Sequence, residues 1–184
     1  MATITIVGDG PGGLSAALFL AKGGHAVTVF GTDQTAMHYA YLYNYLGIPE
    51  ISGSDFQVIA RHQARSFGAE LVAEKVESIA LVEGEFRIKA EGGSVVAADY
   101  LVLTEGKNPE LARALGLEFV EDGVAVDRQY RSSIDKLYVV GRSARPQRSQ
   151  AIISAGAGAT AALDIISREA GQDVQDWDTP PEDE

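Results

Sequence analysis

An α/β fold with a central parallel sheet and a small antiparallel β-layer is what this sequence predicts, and three features predict it. The run "TITIV" turns through "GDGPGG" into "LSAALFLAKGG", and "HAVTVFG" then completes strand, helix and strand within about 30 residues, the compact unit of a parallel sheet. Residues 69 to 104 read as strands, two of them joined as a hairpin at "EGG". A buried strand, "KLYVVG", then precedes a helix full of small residues, "IISAGAGATAALDIISREAG".

The elements follow in order. In the first helix Leu14, Ala17, Leu18 and Ala21 fall at helical spacing, and Gly23-Gly24 ends it. The stretch "HYAYLYNY", residues 38 to 45, sets a tyrosine at every second position, which in an extended strand puts four rings on one face. After the loop "LGIPEISG" a helix is expected from Asp55 to Phe67, with Phe56, Ile59 and Ala60 on one side. The strand region reads "AELVAEKVESIALV", "EFRIKA", "SVVAA" and "DYLVLTEG"; "PELARALG" is a short helix and "GVAVD" a short strand. The small residues of the last helix permit close approach to a neighbour or ligand. A single domain over residues 1–172 is expected, followed by an acidic, flexible tail over 173–184, from which Trp177 could tuck back.

Composition narrows the function. At 184 residues with 46% hydrophobic content the chain can bury one sizeable core. It offers no run of about 20 apolar residues to span a bilayer and no secretory signal, so a cytoplasmic protein is expected. A net charge of −11 repels phosphate backbones and argues against nucleic-acid binding. With no cysteine there are no disulfides, thiolate metal sites, cysteine nucleophiles or dithiol relays. His25, His38 and His62 show no ligand spacing, so no metal site is expected; His38, beside the tyrosines, is the one histidine placed to act as an acid or base.

The chemistry sits in "GDGPGG", a G-x-G-x-x-G at Gly8, Gly10 and Gly13. The first glycine allows a tight turn, the second lets backbone approach a pyrophosphate, and the third lets the helix pack on the strand. Free amides and the positive end of the helix dipole then face phosphate. Following a strand and opening a helix, the motif predicts dinucleotide binding. An acidic residue near the end of the second strand usually takes the ribose hydroxyls. That strand ends in Phe30-Gly31-Thr32, and Asp33 is the nearest acid, to be weighed against a solvated turn aspartate.

These segments together resemble the FAD-binding domain of the thioredoxin-reductase-like flavoproteins, and the resemblance runs nearly end to end. It is carried by "IVGDGPGGLSAALFLAKGGHAVTVFG", by "YNYLGIPEISGSDFQVIARHQARSFGAELV", by "DYLVLTEGKNP" at the family's Ala-Thr-Gly turn, and by "KLYVVGRSARPQRSQAIISAGAGATAALDI" as the second FAD signature. The resemblance implies a Rossmann-like FAD/NAD(P)-binding fold with FAD as cofactor. The implied cofactor-binding positions are Gly8, Gly10, Pro11, Gly12, Gly13, Thr32 and Asp33 from the first half. Asn44, Val76, Thr104, Glu105, Gly106, Gly141, Arg142, Gln150 and Ala151 complete the set.

Departures from the pattern matter as much. The family's inserted NADPH domain is missing after Gly116, and with it the Cys-x-x-Cys, so the chain is not expected to be a thioredoxin reductase itself. The Ala-Thr-Gly turn is Thr104-Glu105-Gly106, and Arg142 stands where the family's aspartate meets the ribityl chain. Arg142 either turns outward or joins Arg145 and Arg148 as a basic group for phosphate, carboxylate or an acidic partner.

The resemblance places Asn44 beside the flavin and Ala40, Leu42 and Asn44 on its side of the strand. The tyrosines are then left for self-association or a partner, an aromatic lid, or ordinary packing.

Two functions compete. One is a flavin-dependent oxidoreductase that exchanges electrons with a redox partner protein or a small-molecule electron donor, as a homodimer. The alternative is a non-catalytic FAD- or ADP-binding module for structure or partner recognition. A nicotinamide enzyme has little beyond the fingerprint to support it.

Overall fold

The computed structural model describes residues 1–179. Its centre is a five-stranded, all-parallel sheet built from β1 (Thr3–Val7), β2 (Ala26–Phe30), β5 (Glu70–Val72), β9 (Tyr100–Leu103) and β12 (Leu137–Val139), in the order β12-β9-β1-β2-β5. Strands covered on both faces read as continuous apolar runs, which "YLVL" and "LYV" are.

The pleat sorts each strand between two cores. Ile4, Ile6, Tyr100, Val102 and Tyr138 face one side with Leu14, Leu20, Ala161 and Ile165 of helices α1 (Pro11–Lys22) and α4 (Ala151–Ala170). Val7, Leu101, Leu103, Leu137 and Val139 face the other, against Phe86, Ile88 and Ala98. Those last residues belong to an antiparallel layer of β6 (Val76–Val82), β7 (Glu85–Ala90) and β8 (Val95–Ala98). Each such fully buried aliphatic side chain contributes about 1.5–3 kcal/mol of burial free energy.

Two short antiparallel pairs complete the strands: β3 (Tyr41–Leu42) with β4 (Ile51–Ser52), and β10 (Phe119–Val120) with β11 (Gly123–Val124). Helices α2 (Gly53–Ser66) and α3 (Glu110–Ala114) lie between them in the chain. Ser52 caps α2, its Oγ accepting from the Asp55 amide at 3.0 Å.

The α/β class, the parallel sheet, the antiparallel layer and the hairpin at residues 91–93 are as expected. Three details differ. "AELVAEKVESIALV" is not one strand: β5 joins the parallel sheet, and after residues 73–75 β6 starts the other layer with a register shift between Val76 and Ser78. On α2 the buried positions are Gly53, Gln57 and Ala64, whereas Ile59 is half exposed. Trp177 is 86% exposed and does not pack back; instead Asp176 and Asp178 hold the Lys22 ammonium at the end of α1. Residues 180–184 of the acidic tail lie outside the described residues. No helix among the described residues is long and apolar enough to cross a membrane.

Candidate functional site

The turn from β1 to α1 uses its glycines for different purposes. Gly8 has φ +104°, and a Cβ there would overlap the Thr104 carbonyl; a Cβ on Gly13 would overlap the Gly8 carbonyl. Both are demanded by packing. Gly10 has ordinary extended angles, φ −76° and ψ −178°, and the nearest atom to an added Cβ is Thr35 Oγ1 at 3.4 Å. Glycine at position 10 therefore keeps clear a space that no protein atom fills.

That space belongs to a cleft of about 760 Å³, within the range of small-molecule and cofactor sites. It runs along the ends of β1, β2, β9 and β12. Gly8, Gly10, Pro11, Gly12, Thr32, Val76, Thr104, Glu105, Gly106, Gly141, Arg142 and Ala151 all line it. Twelve of the sixteen sequence-derived positions thus converge on one cavity. Gly13 lies just beneath, buried against Gly8. Gln150 is the N-cap residue adjoining Ala151.

Asp33 and Asn44 are elsewhere. Asp33 adopts φ +59° beyond β2, with its carbonyl hydrogen-bonded to His38 Nε2 at 2.8 Å, and it does not reach the cleft wall. Asn44 is exposed in a separate shallow depression over residues 43–49.

Two helices point their N-termini into this one cleft. The α1 N-cap is Gly10, with Pro11 in the first turn, and the α4 N-cap is Gln150; neither has a side-chain cap, and neither first turn holds an acid. Unpaired amides and the positive dipole ends are thus presented to whatever fills the cavity. The close approach of the two helices depends on small residues. A Cβ on Gly158 would overlap the Gly12 carbonyl, and one on Gly12 would lie 3.2 Å from the Ser154 carbonyl oxygen.

A buried cluster under the turn was invisible in the sequence. Asp9, 5% exposed, pairs through Oδ2 with the Arg61 guanidinium and accepts the Asp33 backbone N–H at 2.9 Å, while Gln57 Nε2 donates to the Asp9 carbonyl. Its carboxyl group occupies the space above Gly31, where a Cβ would fall within 2.6 Å of Asp9 Oδ1. Acid and guanidinium neutralise each other beside the turn, so an anion there does not meet an uncompensated carboxylate. The only signal in the sequence was glycine at 31, where an acid is usual.

Glu105 also has a purpose of its own. Its Oε1 and Oε2 accept the backbone N–H groups of Leu111 and Ala112 at 2.7 and 3.0 Å, capping the short α3. Burial pushes its carboxyl above the usual range, and these amides partly oppose that. The departure from the Ala-Thr-Gly pattern thus serves the fold. Of the three loop arginines only Arg142, in the 3-10 turn Gly141–Ser143, lines the cleft; Arg145 and Arg148 are exposed elsewhere.

The tyrosine row is not one strand. Ala36–Tyr39 is a 3-10 turn, and only Tyr41 and Leu42 pair with β4. Leu42 is buried with Met37 and Ala151 at the foot of α4, and Tyr45 packs on Phe56 with ring centroids 5.4 Å apart. Tyr39, Tyr41 and Tyr43 are exposed, the last two 4.8 Å apart. His38 bridges Asp33 and Ser54, its Nδ1 2.9 Å from Ser54 Oγ, which ties this segment to α2.

Comparison with known proteins agrees with this arrangement. The chain is 29% identical over 127 residues to a thioredoxin reductase of Spironucleus barkhanus, a match covering 66% of this chain and 42% of that protein. It is 33% identical over 119 residues to a thioredoxin reductase of Streptomyces clavuligerus, covering 62% and 36%. Its sequence relatives are thioredoxin reductases.

The fold agrees as well. A thioredoxin reductase structure from Gloeobacter violaceus superposes with a TM-score of 0.87 at 18% identity, over 97% of this chain and 99% of that one. No family model matches the chain. The chain matches less than half the length of these curated thioredoxin reductases, and unlike a dithiol enzyme it contains no cysteine.

Proposed function

We propose that this chain binds FAD across the cleft and works as the flavin-holding part of a thioredoxin-reductase-like oxidoreductase, with electrons exchanged through a separate protein or a diffusible donor. The observation that carries this reading is the pair of uncapped helix N-termini opening on one cavity. A dinucleotide's diphosphate needs amide donors and positive potential, which a chain of net charge −11 must concentrate locally.

The residues present fit such a ligand. The amide-rich turn at Gly10 and Gly12 has open space before it for the diphosphate. Thr32, Val76 and the acids Glu74, Glu77 and Glu91 line the part of the cleft formed with the antiparallel layer, where hydroxyl and amino donors of an adenosine would find acceptors. Thr104, Gly141 and Ala151 line the part between β9, β12 and α4.

When bound, FAD supplies one- and two-electron redox chemistry that needs no protein thiol. The chain's contribution is binding, orientation and field. The α1 amides hold the diphosphate, and Met37, Leu42 and Ala151 exclude water beside the start of α4. The α4 N-terminus favours negative charge on a group placed against Gln150 and Ala151.

Arg142 on the wall favours a second reading, a non-catalytic FAD- or ADP-binding module, because it replaces a ribityl hydrogen-bond acceptor with a cation. The deciding experiment is the visible spectrum of the purified protein after incubation with FAD and desalting, followed by photoreduction. Retained flavin bands that bleach and return in air support the oxidoreductase. Retained flavin that resists reduction supports the module, and a colourless protein refutes FAD binding.

A further inference from the structure

We propose that Asp9, inside the glycine turn, is the acceptor for the ribose hydroxyls of the nucleotide, in place of an acid at the end of β2, and that it restricts the site to adenosine diphosphates with an unmodified 2′-hydroxyl. The inference rests on the dinucleotide reading above and adds the residue that sets its specificity.

Three observations lead to it. In folds of this kind the ribose acceptor projects from the end of the second strand, and here that position is Gly31, which has no side chain to offer. The nearest acid in the sequence, Asp33, does not line the cleft; its carboxylate lies behind Asp9 in the same cluster, 3.3 Å from His38 Nε2 and 4.0 Å from the Arg61 guanidinium. The Asp9 carboxyl, by contrast, occupies the volume that a side chain on Gly31 would enter, with Oδ1 2.6 Å from the position of that missing Cβ. An acid at one position has been exchanged for an acid reaching the same place from the other side of the turn.

The two carboxyl oxygens are used differently. Oδ2 is held by Arg61 and by the Asp33 backbone N–H, which fixes the group's orientation. Oδ1 accepts no hydrogen bond from the described residues, although the side chain is 7% exposed and Asp9 lines the cleft. A buried acceptor held this firmly and left open on one oxygen suits a hydroxyl donor, since leaving it unpaired beneath a bound ligand costs free energy. A ribose 2′-phosphate placed there would set acceptor oxygens against Oδ1 with no proton between them, a mismatch that the Arg61 pair on Oδ2 does not relieve.

The test uses 5′-ADP, FAD and 2′,5′-ADP as probes on the intact chain, with affinity measured by calorimetry and folding followed by thermal unfolding. Wild type is expected to bind 5′-ADP at least tenfold more tightly than 2′,5′-ADP. Asp9→Gly is expected to weaken 5′-ADP and FAD by about ten- to a hundredfold, the range for a hydrogen bond to a charged group, and to abolish the discrimination.

Because Asp9→Gly also strands Arg61, a second variant combines it with Gly31→Glu, which returns a carboxylate to the vacated space from β2; this variant is expected to recover both affinity and discrimination. Equal or tighter binding of 2′,5′-ADP by wild type overturns the proposal whatever the variants do, as does a folded Asp9→Gly protein that still discriminates. A wild type that binds neither FAD nor 5′-ADP overturns the dinucleotide reading itself, whereas binding without discrimination overturns only the role of Asp9.

Discussion

Gly10 and Gly13 look alike in the motif, yet the structure gives opposite consequences for the same substitution. An alanine at 10 places its Cβ in the cleft, 3.4 Å from Thr35 Oγ1, with backbone angles that any residue adopts. Alanine is a poorer helix N-cap than glycine, but it also lowers the entropy of the unfolded chain by about 0.4–1 kcal/mol; the two effects offset, and stability is expected to stay within about 1 kcal/mol of wild type. An alanine at 13 drives its Cβ into the Gly8 carbonyl and leaves 2.8 Å to Thr104 Cγ2, in backbone that cannot retreat. That is overpacking at the turn where three strands and a helix meet, and about 3 kcal/mol or more of lost stability is expected. Urea unfolding followed by circular dichroism measures both, and flavin fluorescence quenching measures FAD binding. Gly10→Ala is expected to remain folded while losing FAD affinity by about a hundredfold, roughly 3 kcal/mol. Undiminished FAD affinity in Gly10→Ala would refute the placement of the diphosphate, and a Gly13→Ala protein as stable as wild type would refute the close contact.

Other expectations concern the frame of the cleft. Glu105→Ala removes the acceptor for the Leu111 and Ala112 amides and is expected to cost about 1–2 kcal/mol of stability, whereas Glu105→Gln keeps one acceptor oxygen and most of it; urea midpoints distinguish them. Tyr138 is fully buried, and its hydroxyl, pushed up to about 12 by burial and by Asp164, donates to the Asp164 carboxylate; Tyr138→Phe is expected to lower stability by about 1 kcal/mol, read as a drop in Tm. The backbone and hydroxyl of Thr3 both donate to Asp99 Oδ2 at 2.8 Å and hold its carboxyl below the usual range. The folded state then binds fewer protons than the unfolded state, so this stabilisation is present above the unfolded carboxylate pKa of about 4 and is lost as pH falls through the lower folded value. Urea midpoints between about pH 2 and 6 are expected to fall on acidification, less steeply in Asp99→Asn; an equal slope in the variant would contradict the assignment.

What could be read from the sequence was whatever depends on near neighbours. Gly8, Gly10 and Gly13 act within six residues of each other and beside a β-branched strand, so their spacing announced the turn. The apolar run at 137–139 announced a buried strand and that at 100–103 a strand, because no polar residue interrupts either. The failures come from couplings across the chain. Gln57 takes a core position on α2 because its amide serves the carbonyl of Asp9, and no hydrophobic pattern marks a polar side chain as buried; of the apolar side read from the sequence, Phe56 and Ala60 pack inward and Ile59 does not. Asp9 and Gly31 make sense only together, 22 positions apart. The alternating tyrosines imitated a strand, but Thr35 caps a 3-10 turn over Ala36–Tyr39, and the pairing that remains is two residues long.

The contact between Gly12 and Gly158 joins the first helix among the described residues to the last. During synthesis the glycine turn emerges early, but α4, which forms the second wall of the cleft, is made more than a hundred residues later. In that interval only part of the cleft exists, and a ligand that needs both walls cannot assist the growing chain as it could a domain whose site is local. Pairings so distant in sequence also slow folding, because loop closure precedes any reward from the contact. On the dinucleotide reading proposed above, capture has to wait for α4, and a polypeptide interrupted before that helix would lack the second wall of the cleft.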